Sequence, residues 1–335
     1  MAKITTYDFI AANSRKTVLL MILFPISLIV MIYALILILS LFNSGNQYQA
    51  VNYQFALNNA NIIAIWLLPI ISVVAIIWLV ISYFFGQNIL LSQAGAKEVT
   101  RQSAPDIYNM TENLCITAGL PVPKIYIIQD NALNAFATGR NPKNSYIALT
   151  TGIIAALDKS ELEGVIAHEL SHISNRDIRL MLITILCISF ATFAADVLLR
   201  IALVKGVRGN SKDNGGAQLF LMLLAFTFYI YGYLVAPLIR LAVSRTREFQ
   251  ADASAALLTR NPQGLAGALK KISGRSEVKS LKDNEPMAPM CIETPLSKQK
   301  QNSFFNKLSG IFSTHPPTAE RIKKLLAMDA TGRFY

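Results

Sequence analysis

Two stretches of this chain carry no charged side chain at all, Thr17 to Phe42 and Ile62 to Phe85. Each exceeds the roughly 20 residues that take a helix across a hydrocarbon core. A backbone in lipid must satisfy its own hydrogen bonds, so runs of this kind are expected to be membrane helices. Pro25 and Pro69 fall inside them, which membrane helices tolerate. The first run is too long for the apolar region of a signal peptide, and no small-residue cleavage site follows it. It reads as an uncleaved anchor.

Charge placement gives an orientation. Lys3, Arg15 and Lys16 precede the first run, Lys97 and Arg101 follow the second, and the loop from Asn43 to Asn61 has no Lys, Arg, Asp or Glu. Positive residues stay on the cytoplasmic side, so the N-terminus and everything after Phe85 are expected in the cytoplasm. The excess of 31 Lys and Arg over 20 Asp and Glu is thereby explained by topology. No basic stretch interleaved with aromatics points to nucleic acid. With 53% hydrophobic and only 15% charged residues the chain is neither a plain soluble enzyme nor a disordered one. Cys115, Cys187 and Cys291 are too scattered for a disulfide framework or a zinc ribbon, and Cys187 reads as a packing residue in an apolar run.

Two further apolar runs, Leu180 to Ala195 and Leu219 to Ile239, form either a membrane hairpin or a helical pair partly buried in protein. Asp196 and Arg200 stand four apart and can pair along a helix. The chain thus divides into an anchor with two membrane helices (1–92), a first cytoplasmic part (93–177), the second apolar pair (178–240) and a second cytoplasmic part (241–335). In the first cytoplasmic part a helix over Pro105 to Ala118 ends at Gly119 and Pro121. Strands are expected at Lys124–Gln129, Asn134–Gly139 and Ser145–Thr150, with a turn at Arg140–Asn144. Ser160 and Glu163 form a capping box that opens the next helix. Further helices are expected at about Val243–Leu258 and Pro317–Met328. Glu277 to Gly310, polar and with three prolines, reads as a long surface loop.

The helix after the capping box carries His168-Glu169-Leu170-Ser171-His172. Residues four apart leave the same helix face, so both imidazoles can bind one metal ion. Glu169 projects beside them, within reach of a metal-activated water as general base. Two of the chain's three histidines fall in this pattern, which weighs against two unrelated histidines on a solvated face. A catalytic zinc takes three protein ligands and keeps one position open. Asn175 and Ile178 stand where the metzincin pattern would need Gly and His. Asp177, five residues on, suits a supporting role at the helix end. Glu248 is a candidate third ligand, and Asp252, four later on the same face, could hold a ligand histidine by its other ring nitrogen. The bland alternative is an exposed acidic pair among Arg245, Arg247 and Arg260.

These residues resemble the HtpX-like family of membrane zinc metalloproteases, related to the CaaX prenyl endopeptidases and to a mitochondrial inner-membrane stress protease. The likeness covers nearly the whole chain: two membrane helices before the HEXXH helix, NAFATG at Asn134–Gly139, SRTREFQAD at Ser244–Asp252, and STHPPTAERI at Ser313–Ile322. The resemblance implies a mainly α membrane protein with an α+β zincin-like (gluzincin) catalytic domain and a small β-sheet beside the HEXXH helix. It implies one zinc per chain with Glu248 as third ligand. It also implies stress-related quality control in the bacterial inner membrane, cutting misfolded or damaged membrane proteins on the cytoplasmic side.

On this reading Glu169 takes a proton from water and passes it to the leaving amine. The oxyanion needs a donor besides the metal, for which His315 and Arg245 are candidates. His315 could instead hold the turn at Pro316 and Pro317. Asn134, Ala135 and Phe136 could pair with an extended substrate as an added strand, or Phe136 could simply pack in the core. Two other readings fit these residues less well. An intramembrane site-2-type protease is disfavoured by Glu161, Glu163, Asn175 and Arg176 around the motif. A membrane scaffold retaining structural zinc would have no use for Glu169 or an open coordination position.

Overall fold

The computed structural model describes residues 6–48, 52–208, 215–242, 245–273, 292 and 316–328, with backbone alone for 6–9, 45–48, 205–208, 215–217, 233–242 and 245. The first two apolar runs lie within long helices, α1 (Thr6–Tyr48) and α2 (Tyr53–Gln93), with Pro25 and Pro69 inside them. The later runs lie within α6 (Asp177–Arg208) and α7 (Gly215–Ala242). Spans of membrane length and composition run over Ile10–Ser44, Tyr53–Gln93 and Asp177–Val204; the described apolar part of α7, Gln218–Gly232, is shorter. The third span differs from the others in being 56% buried within protein, against 22% and 17%.

Contacts divide the chain into two compact units, Val18–Phe84 with Leu186–Ala236, and the remainder. The first of these is helical. Phe190 sits at its aromatic centre, edge-on to Phe24 at 5.7 Å between ring centroids, with Phe228 edge-on and Trp78 tilted against it. Asp196 accepts a hydrogen bond from the Tyr229 hydroxyl of α7, so this acid is paired across helices rather than along its own with Arg200.

The second unit holds a four-stranded sheet and a cluster of helices. The strands are β1 (Ala96–Val99), β2 (Lys124–Ile128), β3 (Ala135–Asn141) and β4 (Asn144–Thr150), in the order β1-β2-β4-β3. Pairing is parallel only between β2 and β4. β3 turns into β4 at Pro142–Lys143; before that turn the register shifts between Gly139 and Asn141, and the φ of 143° at Gly139 and its closeness to Asn144 O leave no room for a Cβ. β3 is therefore an edge strand. Helix α3 (Pro105–Ala118) ends at Gly119 in the left-handed conformation, as the sequence predicts. Beyond it come α4 (Thr151–Ala156), α5 (Lys159–Ser174), α8 (Arg245–Thr259), α9 (Pro262–Ile272) and α10 (Thr318–Leu326).

Helix α5 is the hub of this unit. Its capping box is two residues earlier than the sequence suggests: Asp158 accepts from the Glu161 backbone N–H, and Glu161 accepts from that of Asp158, both at 2.9 Å. Ser160 turns its hydroxyl back onto Asp158, and Lys271 of α9 pairs with Glu161 at 2.6 Å. Gly164 lets α9 come close, since a Cβ there would stand 2.8 Å from Leu265 N and 2.9 Å from its Cα. These are backbone atoms that cannot swing away. Gly164→Ala is expected to lower stability by about 1–3 kcal/mol through overpacking, read as a drop in the thermal unfolding midpoint in detergent.

Candidate metal centre

Residues Leu162 to Ile173 of α5 are almost all buried, and the two histidines sit within that stretch. Their rings stand perpendicular, 4.8 Å between centroids, and the two Nε2 atoms approach to 3.2 Å. Glu248 reaches the same point from the first turn of α8. Its carboxylate oxygens lie 3.8 Å from His168 Nε2 and 3.7 Å from His172 Nε2. Ala251, Ala255 and Ala256 are buried on α8, and side chains this small let that helix lie close to α5. Tetrahedral donors at bonds of about 2.0–2.1 Å stand about 3.3–3.4 Å apart. The two nitrogens and the carboxylate thus need shift by only a few tenths of an ångström to share an ion. Among the described residues this trio is the group that can hold a metal.

The other ring nitrogens explain why the lone pairs face inward. His168 Nδ1 lies 3.0 Å from Asp252 Oδ1, and His172 Nδ1 lies 3.0 Å from Asp177 Oδ2. An ionised carboxylate only accepts, so each Nδ1 carries the proton and each Nε2 is left as a metal donor. Asp252 stays ionised although burial opposes it, because Arg321 and His168 hold it below the usual carboxylate range. Burial draws His168 down. At His172 burial acts the same way but is outweighed by Asp177, Glu248 and Glu169, and the metal-free imidazole is pushed up to about 9. Metal binding here therefore displaces a proton.

Glu169, 1% exposed, sits beside the trio. Burial pushes its carboxyl up to about 7; Glu248 adds to the rise, while His172, the Ala137 backbone N–H and Arg321 oppose it. The structure thus brings together His168, Glu169, His172, Glu248 and Asp252. Arg245 opens α8, and its side chain lies outside the description; His315 lies outside the described residues. Asn134, Ala135 and Phe136 lead into the edge strand and are all buried. Asn134 Oδ1 accepts from the Ala135 N–H, and the Ala135 carbonyl accepts from the Ile292 N–H at 2.9 Å. Phe136 is 2% exposed, and its side chain is a packing element.

Sequence reasoning did not single out Arg321. It is completely buried, with Nε and Nη2 on the two oxygens of Asp252 at 2.9 and 2.7 Å and Nη1 3.6 Å from Glu248. A signal was available. Arg321 shares a face with Leu325 on an amphipathic helix, and a cation on an apolar face requires a buried anion.

Comparison with known proteins identifies the family. The model of peptidase family M48 matches residues 101–329. A protease HtpX homolog of Bacteroides fragilis is 38% identical over 92% of this chain and 94% of its own. One of Tropheryma whipplei is 42% identical over 74% and 81%, and one of Dictyoglomus turgidum is 37% identical over 98% and 96%. A crystal structure of S. mikatae Ste24p, 19% identical, matches 92% of this chain and 66% of its own with a TM-score of 0.45. A metal-ready pair of histidines on one buried helix, a carboxylate facing them and a family match over two thirds of the sequence lead to one conclusion: this chain belongs to peptidase family M48 and is a metallopeptidase with membrane-spanning helices.

Proposed function

We propose that the protein is a zinc endopeptidase of the bacterial inner membrane that cuts misfolded or damaged membrane proteins on the cytoplasmic side. The observation that carries the reading is the trio His168, His172 and Glu248 with Glu169 buried beside it. Two imidazoles and one carboxylate are the donor set of a catalytic zinc with one open position. Bound there, zinc would supply a Lewis acid that lowers the pKa of water toward neutrality. His168, His172 and Glu248 hold the ion, and Asp252 and Asp177 orient the imidazoles. Glu169 takes the proton of the attacking water and gives it to the leaving amine. Arg245 and His315 are proposed as donors to the oxyanion.

An extended substrate is proposed to pair with the edge of β3. At Ala135 that edge is met by Ile292 of the chain itself, so pairing there requires exchange with Ile292. Backbone pairing reads shape rather than sequence and suits unfolded chains. The basic residues around the first two spans support the cytoplasmic placement.

The test is cleavage of unfolded casein by purified, zinc-loaded protein in detergent. Cleavage is expected to stop on chelation and to return with one equivalent of zinc. Zinc bound without any cleavage would overturn the endopeptidase reading in favour of a metal-retaining scaffold.

A further inference from the structure

Asn13 stands near the start of α1, just inside the apolar span that begins at Ile10, and is 3% exposed. A buried amide is costly unless its hydrogen bonds are made. Those of Asn13 all lead toward the metal centre. Nδ2 donates to Asp177 Oδ1 at 2.7 Å and to the Asn175 carbonyl at 2.9 Å. Oδ1 accepts from Arg247 Nη2 at 2.6 Å, and Arg247 Nε lies 2.9 Å from Asp177 Oδ1. Asp177 Oδ1 is therefore held by α1 and α8 together, which leaves Oδ2 for His172 Nδ1. Asn175 closes α5 three residues after His172, so the second donated bond pins the corner from which Asp177 projects.

We propose that Asn13 is a positioning residue of the metal centre: the N-terminal membrane helix fixes Asp177 and, through it, the orientation in which His172 binds metal. Asn13 touches no metal donor, so it acts through Asp177, directly and by way of Arg247 and the corner at Asn175. The inference rests on His172 being a ligand. It makes the first membrane helix part of the centre and not merely an anchor.

The test uses the full chain in detergent, with Asn13→Ala and Asn13→Asp made alone and together with Asp177→Asn. Zinc affinity is read by competition with a chromophoric chelator, and stability by melting of the metal-free protein. Asn13→Ala is expected to weaken zinc binding about tenfold, the low end for loss of a ligand's support. Asn13→Asp should weaken it further, because it keeps the acceptor for Arg247 but sets a carboxylate against Asp177. Both losses are expected to vanish in the Asp177→Asn background, where the path is already cut. A merely structural role would lower melting without that dependence.

Zinc affinity within about twofold of wild type in either folded variant would overturn the inference, as would an undiminished loss in the Asp177→Asn background. Should Asn13→Ala fail to fold, the isosteric Asn13→Asp carries the test. Failure of the wild type to bind zinc would overturn the ligand assignment itself, an outcome distinct from normal wild-type binding with unaffected variants.

Discussion

Replacing Glu169 with glutamine is expected to slow peptide hydrolysis about 100- to 10,000-fold, the range for losing a positioned general base, with metal content unchanged. Glutamine has the shape of glutamate but takes up no proton. The described group able to hold a metal is His168, His172 and Glu248, and none of them is altered. The environment of Glu169 suits the role. Burial lifts its carboxyl to about 7, close to the pH at which a group both accepts and returns a proton with little penalty in either direction. Casein cleavage measured beside metal analysis decides the matter. Full activity in the variant would place the proton transfer elsewhere, and loss of metal would make Glu169 part of the binding set.

What could be read in advance, and what could not, follows from the range of each interaction. The membrane runs and the HEXXH helix are local patterns. The absence of charge over Thr17–Phe42 and the four-residue spacing of two histidines carry their consequences within a few turns. The capping box of α5 shows where local information ends. Ser160 with Glu163 and Asp158 with Glu161 both satisfy the pattern; the choice falls to the second, whose Glu161 is also held by Lys271 from 110 positions away. Helix α9 is poorly marked in the sequence although Asn261 and Pro262 form a good start signal. Gly264 and Gly267 weaken its helical appearance, yet they are there because a Cβ would strike Ser160 O at 2.6 Å or the Glu161 carboxylate at 2.9 Å. Strand β1, four residues long with exposed Lys97 and Glu98, has no apolar alternation to betray it. At the centre, Asp177 was legible as a helix-end acid in a supporting role. Its other holders, Asn13 and Arg247, come from 164 positions before it and from α8, distances over which a single sequence carries no pairing signal.

Removal of Arg321 is expected to be the most destabilising single change at the centre. Arg321→Met would leave the Asp252 carboxylate buried without its two-pronged partner and would remove the guanidinium 3.6 Å from Glu248. Breaking a buried pair from one side costs about 3–5 kcal/mol, a large share of the roughly 5–15 kcal/mol that holds a typical domain together. Zinc affinity should fall too. Arg321 is the chief charge keeping Asp252 ionised against its burial, and a neutral Asp252 no longer obliges His168 Nδ1 to be the donor. That loss is expected at about 10- to 100-fold. Arg321→Lys should lie between, since an ammonium keeps the charge but lacks the fork that grips both oxygens. The deficit also has a sign in pH. A carboxylate with depressed folded pKa contributes stability above its unfolded value and loses it on acidification. The gap in melting temperature between wild type and Arg321→Met should therefore be widest near neutral pH and close as Asp252 is protonated. It should be wider in zinc-loaded than in metal-free protein, by the zinc affinity that the variant has lost. A gap that ignored both pH and metal would mean that Arg321 is held for its packing alone.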